Sequence, residues 1–266
     1  MSDKTSQNRP LLDIRNLARH FGGLRAVDGV SFRVHSGEIV GLIGPNGAGK
    51  TTLFNLISGF LKPTAGEIFF RGVPIHGKRP NAIARLGVGR TFQIVKPFAE
   101  LSVRDNVLAG MGAHIYPTLR AFGDYYHTPT AVAKADRILE RVGLGPYADA
   151  RADTLPIGLQ RRLEIARALA LSPLLLLLDE SAAGLTHEEA AQLADLIRSL
   201  REEGITILLV EHNMRFAMNL CERIVVLNQG RVLAEGTPDK IQNNPAVIEA
   251  YLGHSGRVGG VKTSNE

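Results

Sequence analysis

The chain has 266 residues, of which 44% are apolar, and a formal net charge of +5 at pH 7. This length fits one large domain or one domain with a subdomain, and the apolar content is enough for a substantial core. A charge excess this small and dispersed usually concerns solubility, so it gives no reason to expect nucleic acid as a partner. The single cysteine, Cys221, excludes an internal disulfide and fits a reducing compartment.

The sequence predicts no membrane span. Its start, MSDKTSQNRP, is polar and lacks the apolar segment of a signal peptide. The longest apolar stretch of low charge, ALALSPLLLLL, is interrupted by Ser172 and Pro173 and is shorter than the ~20 residues that a spanning helix needs. We therefore expect a soluble chain that depends on other subunits for any crossing of a membrane.

The first third of the chain predicts strands and one helix. Apolar and polar residues alternate over 11–19 and 26–38, which indicates strands, and the continuous apolar run EIVGLIG predicts a strand covered on both faces. A helix is expected from about Lys50, where apolar residues recur at helical spacing, and GEIFFRG returns to strand.

The stretch 96–162 differs, because it predicts helices around an irregular, aromatic segment at 114–127. The two helices, SVRDNVLAGM and TAVAKADRILERVGL, have Ser102 and Thr130 as their predicted caps. Next come the helix GLQRRLEIARALALS, the leucine strand, a helix opened by Thr186, the strand ITILLVEH, a short helix and two strands.

Strands that alternate with helices predict an α/β fold with a parallel sheet. We assign its core to 10–95 and 163–252 and treat 96–162 as an inserted helical subdomain. Residues 1–9 and 253–266 are predicted to be flexible tails, because they are polar or rich in glycine, serine and lysine.

The leucine run 174–178 leads directly into Asp179 and Glu180. A buried strand that ends in two carboxylates requires a counter-charge. The sequence GPNGAGKTT offers one, since it fits the phosphate-loop pattern and lies between a predicted strand and a predicted helix. The predicted nucleotide-binding residues are those of this loop: Gly44, Pro45, Asn46, Gly47, Ala48, Gly49, Lys50, Thr51 and Thr52.

Each part of the loop has a physical role in holding phosphate. Its glycines let the backbone curl so that N–H groups point inward, and the helix end adds partial positive charge. Lys50 can reach the outer phosphates, and Thr51 supplies a hydroxyl for Mg²⁺. Asp179, at the carboxyl edge of the sheet, is expected to hold the ion directly or through water. Glu180 is expected to orient or activate the attacking water.

With these motifs, residues 11–252 resemble the nucleotide-binding subunit of an ATP-binding cassette (ABC) transporter. The resemblance implies a recA-like core with an antiparallel β subdomain and a helical subdomain, with ATP and Mg²⁺ as cofactors. It also implies a head-to-tail dimer with a second ABC ATPase subunit, identical or sister, and two ATP molecules at the interface.

The resemblance assigns further site residues. Gln93, in GRTFQ, resembles the glutamine that senses Mg²⁺ and the attacking water, so it is both a catalytic and a metal-site candidate. His212, in VEH, resembles the histidine that contacts the γ-phosphate. Phe21, in RHFGGLRAV, resembles the aromatic residue that stacks on adenine. Core packing is the alternative role for Phe21.

Two segments depart from the family pattern. The signature, usually Leu-Ser-Gly-Gly-Gln, is LPIGL here. Pro156 stands in place of the serine, and it has neither a hydroxyl nor a backbone N–H. Gly158 and the start of the following helix are still expected to contact the partner's ATP. In SAAGLTH, Thr186 stands where an aspartate is common, which implies weaker coupling between the two sites or a compensating group on the partner.

A narrower resemblance, carried by FGGLRAVDGVSF, GRTFQIVKPFAELSVRDNVLAG, LLLLLDESAAGL and the ending AYLG, is to the ATPases of branched-chain amino acid importers. Importers of urea, amides or aromatic acids share many of these features. The implied partners are transmembrane permease subunits, docked by residues around 94–104, and indirectly a solute-binding protein. The implied location is peripheral, on the cytoplasmic face of the inner membrane.

Two other classes of protein remain as alternatives. A non-transport ABC ATPase acting on ribosomes or DNA usually has two cassettes or long coiled-coil insertions, and this sequence has neither. A small-molecule kinase would need an acceptor pocket and would leave Gln93, Gly158 and His212 unexplained. The sequence therefore favours a transport ATPase.

Overall fold

The computed structural model describes residues 9–91, 98–112 and 127–255. The strands are β1 (Leu12–Phe21), β2 (Leu24–Val34), β3 (Ile39–Ile43), β4 (Ala65–Phe70), β5 (Val73–Pro74), β6 (Val88–Arg90), β7 (Leu175–Asp179), β8 (Thr206–Val210), β9 (Arg223–Asn228) and β10 (Arg231–Gly236). The helices are α1 (Lys50–Ile57), α2 (Pro80–Arg85), α3 (Val103–Gly112), α4 (Pro129–Arg141), α5 (Ile157–Leu169), α6 (His187–Glu202), α7 (Met214–Leu220), α8 (Pro238–Gln242) and α9 (Pro245–Ser255).

The strands of the described residues form two sheets. The larger has the order β10-β9-β3-β8-β7-β6 and is parallel except for the edge strand β10. The smaller, β2-β1-β4-β5, is antiparallel. The predicted α/β core with an antiparallel β subdomain is therefore confirmed.

Four of the five leucines of the run, Leu175 to Leu178, lie in β7, which is buried at every residue, whereas Leu174 precedes the strand and is 40% exposed. Leu176 and Leu178 join the apolar cluster on one face of the sheet, while Leu175 and Leu177 join the cluster on the other. This alternation follows from the two-residue period of a strand. Each such leucine stabilises the fold by about 1.5–3 kcal/mol relative to leaving it exposed, so β7 is a rigid base for the two acids that follow.

The helices α3, α4 and α5 pack against one another, which supports the predicted helical subdomain over 96–162. Its predicted end falls inside α5. The helix α9 continues to Ser255, three residues into the predicted flexible tail 253–266, and the rest of that tail lies outside the described residues. A glycine near the end of a helix is tolerated, so its presence alone did not mark the helix end. Of the other predicted tail, residues 1–8 lie outside the described residues, as do most of the segment 114–127 and Gln93.

Of the three predicted helix caps, two are confirmed and one is wrong. Ser102 Oγ accepts a hydrogen bond from the Asp105 N–H at 3.0 Å, and Thr186 forms a reciprocal capping box with Glu189. Thr130 lies inside α4, whose cap is Thr128. The reason is Pro129, because proline favours the first position of a helix and moves the cap to the residue before it.

Candidate functional site

The phosphate loop follows β3 and needs glycine at defined positions. Gly44, Gly47 and Gly49 have φ of 154°, 78° and 101°, which L side chains rarely adopt. A Cβ on Gly44 would lie 2.1 Å from the Leu227 carbonyl oxygen, and one on Gly49 would lie 2.3 Å from that of Ala26. The loop is therefore curled and held close against neighbouring backbone.

The loop forms one wall of a cavity of about 560 Å³, a size typical of small-molecule sites. Glu180 and His212 line the same cavity, so the structure brings together residues that lie far apart in the sequence. The remaining wall was not predicted from the sequence and comes from β2 and the turn after β9. The lining residues are Leu24, Arg25, Ala26, Asn46, Gly47, Ala48, Gly49, Lys50, Thr51, Thr52, Glu180, His212 and Gln229.

Lys50 opens α1 and is buried at the base of the cavity. Its Nζ donates hydrogen bonds to the carbonyl oxygens of Gly44 at 2.8 Å and Pro45 at 3.0 Å. Burial lowers the pKa of Lys50, and the negative charges of Glu180 and Asp179 act in the opposite direction. Gly49 caps α1, and no described side chain occupies the helix end, which leaves its amide groups for an anion.

Asp179, at the end of β7, is 1% exposed and pairs with Arg90, whose Nη2 lies 2.9 Å from Oδ2. Arg90 also donates to Asn55 Oδ1 at 2.8 Å and to Ser58 Oγ at 2.6 Å. Burial raises the pKa of Asp179, and the charge and hydrogen bond of Arg90 work against that rise. The geometry therefore fixes one carboxylate oxygen.

The direct counter-charge of Asp179 is Arg90 and not, as predicted, the phosphate loop. The phosphate loop was expected to provide it, but the contact is made by Arg90, at the end of β6, while the ammonium of Lys50 is bonded to its own loop. The motif GRTFQ contained this arginine next to a short apolar strand. Only the parallel pairing of β6 with β7 shows that the two residues meet.

The other oxygen of Asp179, Oδ1, is buried without a hydrogen-bond partner among the described residues. The described residues also contain no group of three or more His, Cys, Asp or Glu placed to hold a metal. A cation at this position would therefore take most ligands from phosphate, hydroxyl and water, which is the ligand set that Mg²⁺ prefers. Asp179 and Thr51 fit such an ion.

Glu180 and His212 form a contact pair beside the cavity. His212 Nε2 lies 2.9 Å from Glu180 Oε1, and the imidazole is 43% exposed. Glu180 has φ of 50°, in the left-handed region, and its N–H donates to the Val210 carbonyl oxygen at 2.9 Å. The neighbouring strands β7 and β8 thus deliver an acid and a histidine to the same edge of the sheet.

Glu211, which no sequence motif indicates, directly precedes His212 and is 2% exposed. Burial raises its pKa, whereas hydrogen bonds from backbone N–H groups lower it. No local sequence signal marks Glu211. In the segment VEH it lies between an apolar strand and a histidine, and only the histidine is predicted to be functional.

Phe21 and Gly158 lie away from the cavity wall. Phe21 ends β1, is 40% exposed and has the Arg19 guanidinium 4.5 Å from its ring centroid. Gly158 lies in the first turn of α5, next to exposed Pro156 and Ile157. The roles predicted for Phe21 and Gly158 remain predictions, as does that of Gln93, which lies outside the described residues.

A phosphate loop at the end of a parallel strand, facing a carboxylate pair at the end of another, defines a P-loop nucleoside triphosphatase. Residues 27–183, more than half of the chain, match the family model of the ABC transporter. Residues 231–256 match a second model, that of the branched-chain amino acid ATP-binding cassette transporter. The chain belongs to the ABC transporter family and is its ATPase, the component that binds and hydrolyses ATP.

Individual relatives agree with this assignment. Over 256 residues the chain is 46% identical to the high-affinity branched-chain amino acid transport ATP-binding protein LivG of Escherichia coli, covering 93% of this chain and 100% of that protein. The ADP conformation of an ATP-binding cassette of an ABC transporter superposes with a TM-score of 0.84 at 32% identity, covering 92% and 100% of the two chains. A dimeric ATP-binding cassette bound to ADP and Pi has a TM-score of 0.72 at 26% identity, covering 85% and 98%.

Within the described residues, no helix is long and apolar enough to cross a membrane.

Proposed function

We propose that this chain is the ATPase subunit of an importer of branched-chain amino acids and that it hydrolyses MgATP in the cavity between the phosphate loop and the ends of β7 and β8. The observation that carries this proposal is the Glu180–His212 pair, which faces the buried lysine of the loop across one cavity. The solute class is supported by the C-terminal family match and by the name of the E. coli relative.

The residues divide the reaction between them. The amides of the loop and Lys50 bind the phosphates, because they are the positive groups at the base of the cavity. Thr51 and Asp179 would hold Mg²⁺, with Gln93 proposed as a further ligand. When bound, that ion neutralises the charge that develops on the phosphates.

Hydrolysis then needs an oriented water molecule. Glu180 accepts a proton from this water while the oxygen of the water bonds to the γ-phosphorus. The bond between that phosphorus and the bridging oxygen breaks, and ADP leaves. His212, whose Nε2 lies 2.9 Å from Glu180 Oε1, orients the carboxylate and is proposed to contact the γ-phosphate. Phe21, which is not among the lining residues of the cavity, is proposed to stack on adenine beyond it.

A second ATPase subunit, identical or sister, completes the site. Pro156, Ile157 and Gly158 do not line the cavity of their own chain, yet they stand on the surface at the amino-terminal end of α5. The backbone N–H groups of Ile157 and Gly158 are proposed to approach the ATP of the partner subunit in a head-to-tail dimer.

The helical subdomain is proposed to dock the permease subunits. Phe98, Leu101 and Tyr147 are large apolar side chains that are exposed there. The segments that carry them are joined by backbone hydrogen bonds, from Ala152 N–H to the Leu101 carbonyl at 3.1 Å and from Val103 N–H to the Ala150 carbonyl at 2.9 Å. This patch would place the chain peripherally on the cytoplasmic face of the inner membrane, with a solute-binding protein on the other side.

The proposal is tested with the purified full chain by measuring ATP binding and MgATP hydrolysis in Glu180→Gln. We expect wild-type affinity and a fall in turnover of about 10²- to 10⁴-fold, because the proton acceptor is lost and the binding groups are not. Glu222→Gln, at an exposed glutamate paired with Arg201, is the control and should hydrolyse ATP normally. Wild-type turnover in Glu180→Gln would refute the mechanism.

The solute is tested separately by uptake. Cells without the gene should lose uptake of radiolabelled leucine, isoleucine and valine, and the gene should restore it. Loss of urea or aromatic-acid uptake, with branched-chain uptake intact, would overturn the solute and leave the ATPase assignment standing.

A further inference from the structure

Glu211 is a buried carboxylate that the mechanism above does not use. It lies between the end of β8 and His212, and it is 2% exposed. A carboxylate rarely occupies such a position unless several groups bind it, because removing an ion from water is costly.

The groups that bind Glu211 come from both catalytic segments. Its Oε1 accepts hydrogen bonds from the Ala182 N–H at 2.9 Å and from the Ser181 hydroxyl at 3.4 Å. The backbone N–H groups of His212 and Asn213 also act on this carboxylate, since they lower its pKa against the effect of burial. One side chain therefore connects the segment directly after Glu180 to the segment that contains His212.

We propose that Glu211 is a positioning residue that clamps these two segments and so holds Glu180 and His212 in their 2.9 Å contact. This inference rests on the catalytic role proposed for that pair. Glu180 adds a reason for the clamp, because its φ of 50° is sparsely populated by residues other than glycine. A backbone in this region persists only when its surroundings hold it there.

The chemistry of the clamp requires a carboxylate rather than an amide. An ionised carboxylate only accepts hydrogen bonds, and the groups that converge on Glu211 are donors. Glutamine has nearly the same shape but turns an NH₂ group toward one set of donors, so it can satisfy one segment and not both. Hydrogen bonds to a charged acceptor are also about twice as strong as those to a neutral one.

The test measures kcat and KM for MgATP in the full-length Glu211→Gln variant. We expect kcat to fall about tenfold while KM stays within about twofold, because the phosphate loop is untouched and only the catalytic pair is loosened. Glu38→Gln is a matched control. Glu38 also accepts a backbone N–H, that of His35 at 2.8 Å, but it lies at the opposite, amino-terminal end of β3. Its kcat should equal that of the wild type.

A second variant keeps the inference testable if Glu211→Gln does not fold. Ser181→Ala removes one donor and leaves the charge in place, so it should lower kcat about two- to threefold at constant KM. The His212 imidazole resonances in NMR spectra should shift in Glu211→Gln and stay unchanged in Glu38→Gln, which a loss of global stability alone would not produce.

The outcomes separate this inference from the proposed function. If Glu180→Gln abolishes hydrolysis but folded Glu211→Gln has wild-type kcat, only the clamp is wrong. The clamp is also wrong if KM rises while kcat is unchanged, or if Ser181→Ala behaves as wild type when Glu211→Gln cannot be folded. If Glu180→Gln hydrolyses ATP normally, the proposed mechanism itself fails.

Discussion

The catalytic edge of the sheet and the signature end of α5 are built in different ways. At the catalytic edge, Lys50, Asp179 and Glu211 are buried and bonded to groups of their own chain. At the signature end, Pro156 is exposed and Ile157 is 43% exposed, and no described side chain caps the helix. The first region is organised in the single chain, whereas the second is an exposed helix end without a side-chain cap, open to a partner.

Thr186 shows how a departure from the family pattern fits this contrast. Its hydroxyl accepts the Glu189 N–H at 3.2 Å, and its own N–H donates to Glu189 Oε2 at 2.8 Å. The residue that replaces the common aspartate thus caps α6 within its own chain. A Cβ on Gly158 would lie 2.7 Å from Glu189 Oε1, so this cap also adjoins the signature.

The largest expected effect is that of Lys50→Ala. If the catalytic edge is complete within one chain, losing its buried cation should weaken ATP binding even in a monomer and lower turnover about 100-fold or more. Equilibrium binding of a fluorescent ATP analogue and steady-state hydrolysis measure the two effects. Lys62→Ala, at an exposed lysine, should match the wild type. Unchanged ATP binding by Lys50→Ala would contradict the claim that the catalytic edge is complete within one chain.

Arg90→Ala should have the next largest effect, this time on stability. It leaves the carboxylate of Asp179 buried and unpaired, so the free energy of unfolding in urea should fall by about 3–5 kcal/mol. Arg198→Ala breaks an exposed pair with Asp195 and should cost at most about 1 kcal/mol. Equal losses in both variants would show that the edge is not held by this buried pair.

Pro156→Ser should have the smallest effect on stability, and it tests the signature end of α5 instead of the catalytic edge. Pro156 has φ −55° and ψ 154°, which serine can adopt as a helix cap. The serine cap should raise the free energy of unfolding by about 1 kcal/mol, but the loss of proline makes the unfolded chain more flexible and lowers that free energy by about 0.4–1 kcal/mol.

The hydroxyl of Pro156→Ser should still raise the turnover of the dimer a few-fold, by about 1 kcal/mol of added contact to the partner's ATP. Pro156→Ala is the control, because it removes the proline without adding a hydroxyl. The ATPase rate as a function of protein concentration checks the prediction, and equal rates for the serine and alanine variants would contradict it.

Local sequence was enough to predict the phosphate loop, the buried leucine strand and the Thr186 cap, because each depends on residues within a few positions. Arg90 and Glu211 could not be found in this way. Arg90 meets Asp179 across a strand pairing of residues 89 positions apart, and Glu211 meets Ala182 over 29 positions. Buried polar contacts of this range depend on the register of the sheet, which periodicity does not specify.

The most direct test of the account is a structure of Glu180→Gln with MgATP bound. We predict that the γ-phosphate lies between Lys50 Nζ and the side chain at position 180, with Mg²⁺ on the Thr51 hydroxyl and within one water of Asp179 Oδ1. A triphosphate outside the loop, or a metal ion remote from Asp179, would contradict it.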